Sequence, residues 1–248
     1  MRALILGGTA DANLLAVAIA RAGIDAVYSY GGRTRAPADQ PLPVRSGGFG
    51  GVGGLADYLR REAITHVVDA THPFAAEMSC NAIAACAQTT TPLIALERAP
   101  WDKTSGDRWI EVADVVSAAA ALPDSRASVF LAIGRQHIAP FGNRPQHAYT
   151  LRFVDPPDET LSLPNADVIV SRGPFTLEGE LEMMRARRIE WIVARNSGGT
   201  GARAKIDAAR VLGLPVIMIT RPSLPDRPRV ESVSEVMQWL GHRTCLGA

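Results

Sequence analysis

The chain has 248 residues, of which 47% are apolar and 21% charged, an ordinary balance for a soluble globular protein with material for one large or two small domains. Lys and Arg together number 26 against 25 acids, so no bulk field draws the chain to nucleic acid or to a membrane surface. Any anionic partner must be met by local cations.

In chain order, short apolar runs alternate with helical patterns. Residues 3–6 (ALIL) read as a strand, 10–22 as a helix and 25–30 (DAVYSY) as a strand. Residues 56–64 read as a helix, 66–70 (HVVDA) as a strand, 75–88 as a helix and 92–96 (PLIAL) as a strand. This is the rhythm of a parallel sheet covered on both faces. It weakens over 98–128, where 121–128 has the composition of a linker. It restarts with strands at 128–134, 149–154 and 166–171, a helix at 176–187 and a strand at 190–195. A helix at 201–211, a strand at 215–219 and a helix at 232–241 close the series. The expectation is an α/β protein of two domains, 1–124 and 125–248. No clean repeat of 20 to 50 residues suggests a solenoid.

Cys80, Cys86 and Cys245 make no disulfide framework. Cys80 and Cys86 should point to different faces of one helix. No Cys/His cluster suggests a metal. The N-terminal apolar run is too short for a signal peptide, and no stretch nears the roughly 20 residues of a membrane-spanning helix. The expected location is the cytoplasm.

The first strand leads into Gly7-Gly8-Thr9 and a helix. Glycines there let backbone approach a phosphate, and the helix start offers free N–H groups. The full GxGxxG fingerprint is absent, and a plain tight turn is the alternative. The second strand ends without the acid that holds the ribose of NAD. Instead it runs into Arg33, Thr34 and Arg35, which suit the 2′-phosphate of NADP or a solvated loop. A third loop, Ser46 to Gly54, is dense in glycine and should lead into a helix at Leu55. Gly47, Gly48 and Gly50 would admit a ligand, with Phe49 as a flat apolar contact.

Residues 67–75 read VVDATHPFA. At the end of the fourth strand, Thr71 and His72 could bond a nicotinamide ribose or carboxamide. Pro73 would suit the first turn of the next helix, and His72 could donate a proton. Asp69 could instead brace a neighbouring loop. Further on, Arg172-Gly173-Pro174-Phe175 and Arg195-Asn196-Ser197-Gly198 lead into helices, and Arg172, Arg195 and Arg221 each follow a strand-like run. Lys205, Arg135 and Arg152 are further cations.

The blocks LILGGTADA, GGFGGVGGL, DATHPFAAEMSCNA, GRQ (134–136), SRGPF (171–175) and RNSGGTGARAKIDAA (195–209) come in order along nearly the whole chain. Together they resemble the precorrin-6A reductase family of cobalamin biosynthesis. The resemblance implies two Rossmann-like domains with parallel sheets and an active-site cleft between them. It also implies NADPH as the cofactor, whose hydride converts the precorrin-6A macrocycle to precorrin-6B. The substrate would be a carboxylate-rich tetrapyrrole derivative, and the protein partners would be neighbouring enzymes of that pathway. On this reading Gly7, Gly8, Thr9, Arg33, Thr34, Gly47, Gly48, Phe49, Gly50, Thr71, His72 and Pro73 hold the cofactor. Arg172 to Phe175, Arg195 to Gly198 and Lys205 hold substrate, and His72 or Lys205 gives the proton. The resemblance also implies a lysine before Asn-Ser-Gly-Gly, where this chain has Arg195. Three alternatives stand beside it: a cobalt-precorrin-6A reductase, a methyltransferase of Rossmann type, and a non-catalytic module binding NADPH or a tetrapyrrole. The absence of an acid after strand two counts against the methyltransferase.

Overall fold

The computed structural model describes residues 1–32, 39–154, 156–157, 161 and 163–244. Along them run β1 (Arg2–Leu6), α1 (Ala10–Arg21), β2 (Asp25–Tyr30), β3 (Val44–Ser46), α2 (Gly51–Arg61), β4 (His66–Asp69), α3 (Ala76–Thr89) and β5 (Leu93–Leu96). There follow β6 (Arg108–Val112), α4 (Val115–Ala120), β7 (Ser128–Ala132), two 3-10 turns at Arg135–His137 and Ala139–Asn143, β8 (Ala148–Phe153) and β9 (Ala166–Val170). The chain continues through α5 (Leu177–Ala186), β10 (Trp191–Arg195), α6 (Ala204–Leu212), β11 (Pro215–Ile219), β12 (Arg229–Val230) and α7 (Val233–Thr244).

The strands form two six-stranded sheets, and every pairing is parallel. The first has the order β3-β2-β1-β4-β5-β12, the 3-2-1-4-5-6 pattern of a dinucleotide-binding sheet. The second, β9-β8-β7-β10-β11-β6, repeats it with one change. The strand that follows β5 in sequence, β6, fills the last place of the second sheet. The strand that follows β11, β12, fills the last place of the first. The two sheets have traded their sixth strands.

The chain accordingly divides into one unit of Met1–Ala99 with Pro222–Ala248 and another of Pro100–Arg221. This differs from a single crossing near residue 125. β6 and α4 join the second sheet, and β12 and α7 return to the first. The stretch expected to be a linker instead runs from α4 into β7, with Leu122 and Ala127 buried.

Alternation along β1 shows how the first sheet is covered. Ala3 and Ile5 pack with Leu15 and Ile19 of α1 and Val236 and Leu240 of α7. Leu4 and Leu6 pack on the other face with Leu55 and Leu59 of α2 and Ala82, Ala85 and Cys86 of α3. In the second unit Phe130, Ile192, Val216 and Met218 pack against Met184 of α5 and Ile206 and Ala209 of α6. Helix starts are capped by side chains: Thr9 for α1, Asp114 for α4 and Thr176 for α5. The end of α4 is closed by Arg144, which donates to the carbonyls of Ala119 (3.2 Å), Ala120 (3.1 Å) and Leu122 (2.7 Å). Cys80 is exposed and Cys86 buried, on different sides of α3. Burial pushes the Cys86 thiol up to about 12. Cys245 lies outside the described residues. Among the described residues no helix is long and apolar enough to cross a membrane.

Candidate active site

In an open parallel sheet ligands bind past the carboxyl ends of the strands, where neighbouring strands connect in opposite directions. In the first sheet that point lies between β1 and β4. The turn after β1 is shaped from below. The ring of Tyr28, fully buried on β2, lies where a Cβ on Gly7 would sit. Its hydroxyl accepts from the Gly8 N–H (2.9 Å) and donates to Asn13 Oδ1 (2.7 Å). Gly8 takes φ +108°, and a Cβ there would project into open space above the turn. Thr9 Oγ1 accepts from the Ala12 N–H (3.1 Å) and donates to Ala70 O (2.9 Å), which ties this turn to the end of β4.

The VVDATHPFA stretch completes the crevice. Asp69 is buried (3% exposed), and its Oδ1 accepts from the N–H (3.2 Å) and hydroxyl (2.7 Å) of Thr71. Arg227 stands behind it, with Nε 4.0 Å from Asp69 Oδ2 and Nη2 donating to Glu97 (2.7 Å). Asp69 thus fixes the turn and does not face out of it. Pro73 lies outside the helix, contrary to the expectation of a first-turn proline. Ala75 N–H donates to His72 O (2.7 Å), so Pro73 and Phe74 are the corners of a turn and α3 starts only at Ala76. Proline fits the first corner because its φ is already set. His72 Nδ1 accepts from the Phe74 N–H (3.2 Å), which selects the neutral imidazole with its proton on Nε2.

The third glycine loop also differs from expectation. α2 begins at Gly51, four residues before Leu55, after Gly50 at φ +83°. Position 54, inside the helix, requires glycine because a Cβ there would collide with the Phe49 carbonyl. Gly47, at φ +107°, is open on its Cβ side, as are Gly48 and Gly50. Phe49 packs edge-on against Tyr58 at 5.1 Å, and the Arg45 guanidinium lies 3.8 Å from its ring centre. Arg45 also donates to Ser29 Oγ (2.7 Å) and Gly48 O (3.1 Å). It therefore sits at the end of β2, where no acid stands. Arg33 and Thr34 lie outside the described residues.

In the second unit Arg172, Gly173 and Pro174 are exposed beyond β9. Phe175 is turned inward under the Arg152 guanidinium, 4.2 Å from the ring centre. Arg152 makes a two-pronged ion pair with Glu180, which is 2% exposed. Arg195 ends β10, and the loop after it is clamped from two sides. The Asn196 side chain accepts from Trp101 N–H (2.7 Å) and donates to Trp101 O (2.9 Å). Trp101 Nε1 donates to Gly199 O (2.7 Å), and Arg221 donates to the carbonyls of Asn196 (3.0 Å) and Ser197 (3.2 Å). Gly198 has φ +67°. Lys205 is only 9% exposed; its Nζ donates to Ala202 O (2.7 Å) and lies 5.3 Å from the Trp101 ring centre. Burial pushes its ammonium down to about 8, with Glu180 opposing and Arg152 adding to the shift. The cation expected here as a substrate contact or proton donor is thus an interior one.

The structure brings Gly7, Gly8, Thr9, Thr71, His72 and Pro73 to one strand crevice, and Arg172 to Phe175, Arg195 to Gly198 and Lys205 to the strand ends of the second sheet. Sequence reasoning missed Arg45, Arg98, Trp101 and Arg227: the last three act on residues far from them in the chain, and Arg45 reaches Ser29 only through the pairing of β3 with β2.

Comparison with known proteins agrees over the whole length. The family model described as "Precorrin-6x reductase CbiJ/CobK" matches residues 2–241. A precorrin-6A reductase of Rhodobacter capsulatus is 57% identical over 96% of this chain and 95% of its own. A cobalt-precorrin-6A reductase of Priestia megaterium is 30% identical over 97% of this chain and 98% of its own. A solved structure of CobK precorrin-6A reductase superposes with a TM-score of 0.94 at 56% identity, covering 98% of this chain and 96% of that one. With two sheets of dinucleotide-binding order and a match spanning both, the chain belongs to the precorrin-6x reductase family.

Proposed function

We propose that the chain is an NADPH-dependent precorrin-6A reductase that forms precorrin-6B in cobalamin biosynthesis. The observation that carries this is the 57% identity to the Rhodobacter capsulatus precorrin-6A reductase along 96% of the chain. Identity to the cobalt-precorrin-6A reductase of Priestia megaterium is 30%, which favours the metal-free substrate.

The crevice fits a dinucleotide. Gly8 and Gly47 leave open space where any other residue would place a Cβ, and Gly8 stands directly before the α1 N-terminus, whose first N–H groups favour an anion. Gly7, Gly8 and Thr9 would carry the diphosphate, and Thr71 and His72 the nicotinamide end. Arg45, with Arg33, would take the 2′-phosphate; a guanidinium fork pairs with phosphate in two places. NADPH when bound supplies the hydride, so the reduction asks the protein for no nucleophile. The remaining task is a proton at the neighbouring carbon. His72, through Nε2–H, would donate a hydrogen bond from the turn that Asp69 holds, and would give a proton only after taking up a second one at Nδ1, which opens its bond to the Phe74 N–H. Arg172 and Arg195 would meet substrate carboxylates, and Lys205 would hold the loop between them and α6 through Ala202.

The test is an anaerobic incubation with precorrin-6A and either NADPH or NADH, followed by the visible spectrum of the macrocycle. A change with NADPH and little with NADH is expected. Arg33→Ala and Arg45→Ala should each weaken NADPH binding far more than NADH binding. Equal losses for the two nucleotides would overturn the role of these arginines. Binding of NADPH without turnover of precorrin-6A would overturn the reductase reading.

A further inference from the structure

The first turn of α1 contains an acid that opposes the nucleotide reading unless something cancels it. Asp11 stands two residues after the N-cap Thr9. A carboxylate there suits the positive end of the helix dipole. Yet this is the part of the turn that a dinucleotide diphosphate approaches in a sheet of this order. Two like charges brought together in partly dehydrated surroundings repel.

Arg98 meets this carboxylate from 87 residues away in sequence. It lies two residues past the end of β5, and its Nη1 is 2.7 Å from Asp11 Oδ2. In the sheet β5 and β1 are separated by β4, so the arm of Arg98 spans the carboxyl end of β4, the strand that leads to Thr71 and His72. Its backbone is delivered from a fixed position. Glu97 N–H donates to Val230 O (2.9 Å), and the Glu97 carboxylate accepts from Arg227 (2.7 Å). The two side chains of the pair are 24% and 35% exposed, so solvent screens the pair only in part.

We propose that Arg98 is a positioning residue for the dinucleotide: by pairing with Asp11 it masks the one carboxylate of the first α1 turn and makes that helix start receptive to a diphosphate. This rests on the NADPH reading above. Arg98 acts through Asp11, so its loss matters only while the carboxylate is charged. A clasp that merely held α1 in place would behave differently, because removing both partners would remove the clasp as well.

Binding of NADPH to the whole protein, read by the fluorescence of the reduced nicotinamide, separates the two roles. Arg98→Ala should weaken binding roughly tenfold, the scale of one partly screened charge, and the loss should shrink with added salt. Asp11→Asn should bind at least as tightly as the parent. The double variant Arg98→Ala/Asp11→Asn should return to within about threefold of the parent, with thermal melting run on all three to verify the fold. A double variant as weak as Arg98→Ala would overturn the proposal, and so would an Arg98→Ala variant that binds like the parent. If the parent bound neither NADPH nor NADH, the nucleotide reading would fall and this inference with it.

Discussion

Replacing Gly7 by Ala tests whether the turn after β1 is set by the residue beneath it. The added methyl would overlap the ring of Tyr28, which is fully buried, packs on Tyr30 at 4.7 Å between ring centres, and is bonded through its hydroxyl to Gly8 and Asn13. The ring has nowhere to go without losing those bonds. Overpacking strain of about 1–3 kcal/mol adds to about 1 kcal/mol for each of the two bonds. The variant should therefore lose about 3–5 kcal/mol, or on the order of 10 °C in Tm. Tyr28→Val alone should cost about 2–4 kcal/mol. The double variant should be no worse than Tyr28→Val, because the methyl then enters vacated space, so the coupling energy approaches the whole Gly7→Ala penalty. Thermal and urea denaturation of the four proteins gives the cycle. Independent, additive penalties, or a Gly7→Ala protein that melts like its parent, would refute the reasoning.

Two further outcomes bear on the second unit. Lys205 titrates near 8 when folded and near 10.5 when unfolded. Between those values the unfolded chain holds a proton that the folded chain has released. Stability should then rise with pH across that window by about 1–2 kcal/mol from pH 8 to 9.5, and the rise should vanish in Lys205→Met, as urea midpoints would show. Arg144→Ala leaves three carbonyls at the end of α4 without their donor and should cost about 1–3 kcal/mol in thermal melts. Arg144→Lys should restore less than half of that, since an ammonium cannot reproduce the fork.

The strands expected at 25–30 and 215–219 coincide with β2 and β11 to the residue, and those at 3–6 and 92–96 fall one residue from β1 and β5. β3, β6 and β12 carried no such signal. β3 and β12 have three and two residues, and the alternating RWIEV of β6 is half exposed at a sheet edge. The start of α2 was misplaced because Gly51, Gly53 and Gly54 read as loop, whereas close approach to the Phe49 carbonyl puts a glycine inside the helix. The glycine turn and the Thr71-His72 turn were legible because their chemistry is local. Arg45 on Ser29, Arg98 on Asp11 and Trp101 on Asn196 and Gly199 could not be, since only the folded sheets bring each pair together. Lys205 was legible as a cation, and its burial was not.

The exchange of sixth strands sets a timetable for synthesis. β5 leaves the ribosome roughly 130 residues ahead of β12, its neighbour in the finished sheet. At about 5–20 residues per second that is an interval of roughly 7 to 26 seconds. Through it the β5 edge has no partner strand of its own, while the next strand to emerge, β6, belongs elsewhere. The nascent chain must therefore keep β6 from the first vacancy it meets, and the sheet that β1 begins is completed only after the sheet that β6 joins.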